Sequence, residues 1–275
     1  MEYEDPWFLW SEWRLNASLF SLTRENEGYS KFESGATLQL TRSFGEEQQL
    51  SLFWQPTYTT ITDSEIAAEF MGKEDYLNSY LGMSYSYDTR EAPEYSRSGM
   101  IFETTLGLAG AYTGSHVEYF RSTVRLGYYH PVWKGTVRLN GRAGIVLPSG
   151  SVEDFPIDLR MFSGGSRSVR SFRERELGPK DSTGRYPIGG EFSTVFNAEY
   201  DVPVFGELSV VPFFDAGNLL EDAGDAGLDD LHYAGGLGLR LKTPIGPLRI
   251  DYGHNLNRGE NEPSGSWHVG FGVAF

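Results

Sequence analysis

Residues 266–275 read S-W-H-V-G-F-G-V-A-F. Trp267, Val269, Phe271, Val273 and Phe275 fall on one face, and His268, Gly270, Gly272 and Ala274 on the other. Strict period two of this kind marks a β-strand with one apolar face.

The same period runs back through the chain. Leu237, Leu239 and Leu241 oppose Arg240 and Lys242, and Leu248, Ile250 and Tyr252 oppose Arg249 and Asp251. Val137, Leu139, Ala143 and Ile145 oppose Arg138, Asn140 and Arg142. Val124, Leu126 and Tyr128 oppose Arg121, Thr123 and Arg125, and Leu81, Met83, Tyr85 and Tyr87 oppose Gly82, Ser84, Ser86 and Asp88. About twelve strands result: 11–24, 31–45, 49–61, 76–90, 100–113, 116–130, 135–147, 192–202, 206–218, 232–243, 247–257 and 265–275.

Two architectures share this pattern. In a soluble sandwich the apolar face is the core. In an outer-membrane barrel it meets lipid and the polar face lines the lumen. Three features favour the barrel. The polar face carries rows of Arg, Asp and Glu that can pair across a lumen. The strands have the length of a tilted membrane span, about 9–11 residues or more. Trp7, Trp10, Trp13, Trp54, Trp133 and Trp267 are read as an interfacial girdle near strand ends.

The connections alternate in kind. One set is rich in Pro and Gly, at 46–49, 131–135, 202–206 and 243–247, with a longer member at 91–99. The other is acidic or long, at 25–30, 61–75, 148–190, 219–230 and 259–264. Short turns on one side and long loops on the other are the asymmetry of outer-membrane barrels. An even strand count puts both termini in the periplasm. Closure removes the sheet edges that the strands would otherwise expose.

Composition agrees. The chain has 275 residues, no cysteine and a net charge of −15. The charge argues against nucleic acid as the main partner. The lack of cysteine excludes a disulfide framework and a thiol nucleophile. No apolar run reaches the roughly 18 residues of a membrane helix. No basic segment followed by an apolar stretch opens the chain, so any secretory signal is expected to have been removed.

One connection is unlike the rest. Residues 148–190 form a stretch of 43 residues containing G-G-S-R-S-V-R-S-F at 164–172. From here onward the sequence resembles the BamA/TamA superfamily of outer-membrane assembly and translocation barrels, the bacterial surface antigen family. S-V-R-S-F resembles the family's V-R-G-F/Y motif, and E-L-G-P (176–179) the piece that follows. I-G-G-E-F-S-T-V-F-N-A-E-Y-D-V-P-V (188–204) resembles the next strand, and V-P-F-F-D-A-G-N-L (211–219) the F-x-D-x-G-N strand. Residues 236–257 and the closing strand complete the set. The resemblance covers about 120 residues in several ordered motifs, and the first 130 share only general barrel character.

The resemblance implies a single outer-membrane barrel over 1–275, with loop 148–190 folded into its lumen. It implies that Arg170 meets acidic residues of the inner wall as a brace, with Gly164, Gly165, Val169, Ser171 and Phe172 shaping the loop tip. The pleat independently turns Glu199 inward, if Ala198 and Tyr200 face lipid, and Asp215 inward, if Phe214 does. The C-terminal pattern His268, Gly270, Val273, Phe275 resembles the family's barrel-assembly signal. Two departures stand out. Ser171 replaces the motif's glycine and would be strained if that position required a positive φ. The family's sixteen strands and preceding periplasmic domains do not fit this length, so a reduced barrel of about twelve strands without such domains is expected.

Enzymatic and metal readings find little support. His116, His130, His232, His254 and His268 lie in no recognisable hydrolase motif, and the acidic run 221–230 lacks the ligand order of an EF-hand. No cofactor is expected. Two functional readings remain. The first is a barrel aiding insertion or passage of polypeptides or lipids through a weak seam between first and last strands. Gly270, Gly272 and Ala274 would pack poorly there. The second is a passive pore or structural barrel that keeps the fold without insertase activity. Expected surroundings are outer-membrane lipid and lipopolysaccharide of a Gram-negative-type bacterium, unfolded client proteins and a periplasmic partner.

Overall fold

A computed structural model describes residues 1–91, 96–150, 154–243 and 246–272. Thirteen strands form one antiparallel sheet in which each pairs its sequence neighbour. They are β1 (Glu2–Asp5), β2 (Trp13–Asn26), β3 (Tyr29–Phe44), β4 (Gln48–Thr62), β5 (Asp75–Asp88), β6 (Gly99–Ala109) and β7 (Tyr119–Val132). Then follow β8 (Gly135–Pro148), β9 (Phe192–Phe205), β10 (Leu208–Leu220), β11 (His232–Leu241), β12 (Leu248–Asn255) and β13 (Gly265–Phe271). The twelve strands read from periodicity correspond to β2–β13. The additional β1 is four residues long and folds back on β2, with Glu2 opposite Ser18 and Asp5 opposite Leu15. Among the described residues, no pairing joins β13 to β1 or β2.

The pleat sorts side chains as the alternation requires. Leu126, Leu139, Phe196, Phe214, Leu237, Leu239 and Trp267 are exposed on the outer face. Asn140, Asn197, Glu199, Asp215, Arg240, Arg249 and Asp251 are buried on the inner one. This inverts a soluble protein, where charge faces water and apolar side chains fill the interior. Trp54 differs from its reading as a girdle residue. It lies mid-strand in β4, where its indole donates to Ser79 Oγ at 2.9 Å.

The apolar packing that does exist lies where the long loop meets the walls. Ile157, Tyr186 and Ile188 of the loop pack with Tyr29, Ile61, Ile66 and Met71. Phe155 packs with Tyr76, Val117, Tyr119 and Val146, and Val169, Phe172 and Leu177 pack with Ala234. The loop also carries a 3-10 turn at Ile157–Leu159 and isolated bridges such as Met161–Gly190 and Ser163–Leu177. Its own backbone is thus largely satisfied while it occupies the interior of the sheet.

Candidate functional site

The loop tip is made by local chemistry. Gly164 and Gly165 adopt φ of +100° and +96°, and a Cβ on either would strike Arg173 O or the Glu174 carboxylate. Glycine is therefore required at both positions. Ser168 Oγ accepts from the Gly164 N–H at 3.0 Å and bonds Ser163 Oγ at 2.8 Å, which closes the turn. The turn delivers Arg170 to the inner wall, fully buried.

There the guanidinium meets two carboxylates. Its Nε and Nη2 donate to the two oxygens of Asp215 at 2.8 and 2.7 Å, and its Nη1 donates to Glu199 Oε1 at 2.5 Å. The Arg170 backbone N–H also donates to Asp215, at 3.1 Å. The forked geometry with Asp215 is one that arginine alone among the basic residues provides. Below the plane of the guanidinium lies the Phe213 ring, 3.4 Å from its carbon to the ring centroid.

The cluster extends beyond the three residues read from the sequence. Asp251 of β12 stands 4.0 Å from Arg170 and accepts from Arg240 of β11 at 2.6 Å. Arg240 lies 3.5 Å from Glu199, and Arg138 of β8 lies 3.9 Å from it while pairing Asp201 at 2.7 Å. Asn197 donates to both Asp215 and the Ser168 carbonyl, at 2.8 and 2.9 Å. Three arginines against four carboxylates make a dry charge network in which every member has a counter-ion. Arg240 and Asp251 stood in the sequence as alternating inward positions. Nothing local tied them to Arg170, because the tie depends on where a distant loop enters the sheet.

Two further contacts hold the tip. His268 Nε2 lies 3.0 Å from the Arg170 carbonyl oxygen, so the last described strand reaches the loop directly. Gly253 of β12 lies against the same peptide. Of the proposed assembly-signal residues, His268 and Gly270 face inward on β13, whereas Val273 and Phe275 lie outside the described residues. Ser171 is buried but does not adopt a positive φ, so serine in place of the motif's glycine brings no backbone strain. Val169 and Phe172 are buried beside it, and the Phe172 ring meets His232 edge-on at 5.4 Å.

The loop has further anchors on either side of its tip, which sequence reading did not single out. Asp158 accepts from Lys31 of β3 at 3.1 Å and from the Tyr76 hydroxyl of β5 at 2.7 Å. Arg175 stacks on Phe162 at 3.5 Å and donates to Asn26 at the end of β2 and to the Tyr29 hydroxyl, at 2.5 and 2.9 Å. The loop is thus fastened to both halves of the sheet.

An antiparallel meander with apolar outside, charged inside and a braced inward loop defines a class of membrane barrel. The whole chain, residues 1–275, matches the Omp85 superfamily domain, and the chain belongs to that superfamily. Among its curated relatives is the outer membrane protein assembly factor BamA of Nitratidesulfovibrio vulgaris, 28% identical over 260 residues that cover 90% of this chain and 32% of the relative. The sorting and assembly machinery component 50 homolog A of Xenopus laevis is 28% identical over 219 residues, covering 75% of this chain and 44% of that protein. The chain therefore spans less than half the length of these relatives. In fold it is similar to BamA from Haemophilus ducreyi lacking POTRA domains 1–3, with a TM-score of 0.82 at 16% identity, over 98% of this chain and 60% of that one. CdiB from Acinetobacter baumannii is more distant, with a TM-score of 0.56 at 16% identity over 94% of this chain and 46% of its own.

Proposed function

We propose that this chain is an outer-membrane barrel that aids the insertion or passage of polypeptides or lipids through a weak seam between its outermost long strands, β2 and β13. It sits among outer-membrane lipid and lipopolysaccharide, with both termini periplasmic, and takes unfolded outer-membrane or secreted proteins delivered by a periplasmic partner. The observation that carries this reading is the unequal pairing around the sheet. Among the described residues, β13 pairs β12 at seven positions and pairs no strand on its other side, whereas β2 pairs β3 at fourteen. A weakly held edge strand is what a client strand needs in order to add by backbone hydrogen bonding. The braced loop supports the reading by keeping the wall rigid from β9 to β12 while that edge opens. The names of the relatives, an assembly factor and a sorting and assembly component, point the same way.

The test is to refold the purified barrel into liposomes and time the assembly of an unrelated outer-membrane barrel, with the wild type and with Arg170→Ala. Acceleration by the wild type that the variant loses supports the proposal. No acceleration by a folded, heat-modifiable wild type overturns it in favour of a passive pore or a structural barrel.

A further inference from the structure

Arg142 breaks the pattern of paired charges inside the barrel. It projects inward from β8, four residues beyond the well-paired Arg138. Its cross-strand neighbours are Arg125 on β7 and Val195 on β9. Two arginines directly opposite each other repel at close range. Along this row β6 offers one carboxylate, Glu103, which faces Arg125 and accepts from it at 2.6 Å. Among the described residues no carboxylate lies within salt-bridge distance of Arg142, and its Nε and Nη2 are shielded from solvent without a protein acceptor. Arg167, exposed on the loop, adds a third positive charge nearby, while Asp215 and Glu174 act on Arg142 only from beyond salt-bridge distance. Arg138, Arg170 and Arg240 each meet a carboxylate, and Arg121 and Arg249 donate to oxygens of the inward loop, whereas Arg142 has neither among the described residues.

Arg125 and Arg142 both line a cavity of about 600 Å³ inside the barrel. Gln39, Ser51, Ser84 and Thr123 face the same space with hydroxyl and amide donors. A volume in the range of about 300–1,000 Å³ suits a small ligand. Guanidinium groups in parallel grip the oxygens of phosphate or carboxylate bidentately. We propose that this cavity is a binding site for a phosphate-type oxyanion, seated between Arg142 and Arg125 and ringed by the hydroxyl wall. The anion supplies the charge that the row Glu103–Arg125–Arg142 lacks. A free anion is favoured over a lipid headgroup because the donors come from the lumenal face of the strands. The site stands independently of any role for the seam.

Thermal unfolding of the full chain in detergent tests this, with pyrophosphate as the probe and sodium chloride at matched ionic strength as the control. The proposal expects pyrophosphate to raise the unfolding temperature of the wild type beyond the salt control, by ligand linkage, and Arg142→Gln to abolish that rise. Glu103→Gln, which removes the competing carboxylate, should keep or enlarge it. Without anion, Arg142→Gln should unfold no earlier than the wild type, because the lost charge had no partner. Equal responses of wild type and Arg142→Gln, or no response beyond salt, would overturn the site, and so would an Arg142→Gln chain that cannot fold. A parallel arm uses dihexanoyl phosphatidic acid; stabilisation by this lipid but not by pyrophosphate would overturn the free-anion assignment.

Discussion

Gly253 of β12 lies against the peptide of Arg170, so that a Cβ at 253 would stand 2.4 Å from the Arg170 carbonyl oxygen and 2.9 Å from the Ser171 nitrogen. The small residue that lets loop and wall approach is therefore on the wall. Gly253→Ala must push the loop tip away from Asp215 and Glu199, and overpacking of this kind costs about 1–3 kcal/mol. Ser171→Gly relieves no strained φ and should cost no more than about 1 kcal/mol through added chain freedom. Comparing the two variants for the temperature at which the folded band is lost on electrophoresis checks the difference.

Arg170→Lys should behave almost as badly as Arg170→Ala. An ammonium cannot span both oxygens of Asp215 and reach Glu199 as the fork does. Leaving two buried carboxylates short of their partner costs about 3–5 kcal/mol. Urea unfolding in detergent would show both variants well below the wild type; a lysine variant of full stability would mean that charge alone suffices.

Two connecting segments should loosen in acid. In the β12–β13 connection, burial disfavours the charged Glu262, but the Gly259 N–H and His232 outweigh it and hold the carboxyl below its ordinary 4.5. At the loop tip, burial likewise opposes Glu176, and the side chain and backbone of Arg173 pull its carboxyl down. A carboxyl whose folded pKa is depressed stabilises the structure above its unfolded value and loses that contribution as pH falls through the folded one. Protection against hydrogen exchange, taken relative to the intrinsic rate at each pH, should therefore be flat in residues 173–176 and 256–264 from pH 7 to about pH 5 and fall below pH 4.5.

Exchange should also differ between the ends of the sheet. Amides of β13, which among the described residues pairs on one side only, should exchange faster than those of β3, which is paired on both sides along nearly its whole length. Equal protection in both strands would remove the basis for a weak seam.

The sequence carried the strands well, because lipid outside and charge inside impose strict period two. It also carried the facing of Glu199 and Asp215, since the pleat follows from their neighbours. It did not carry β1, whose four residues show no alternation long enough to read. Nor did it carry Arg240, Asp251, Phe213 and Gly253 as partners of Arg170. Each is a wall residue like many others until the entry point of the loop is known, and that point depends on the register of five strands. His268 shows the same limit. Alternation placed it on the inner face, but its contact with the Arg170 carbonyl lies 98 residues away in sequence.

The placement of the loop has a consequence for how the molecule forms. Arg170 precedes in the chain every residue that grips it, with Glu199 29 residues later, Asp215 45 and His268 98. Contacts of that separation form late, after the entropy of closing long loops has been paid. The loop joins two adjacent strands, β8 and β9, at one rim, so it can enter the lumen through that rim, but its tip has nothing to hold it until the later strands present Glu199, Asp215 and His268. Truncating the chain before β10 should therefore leave the loop tip unanchored even where the earlier strands pair.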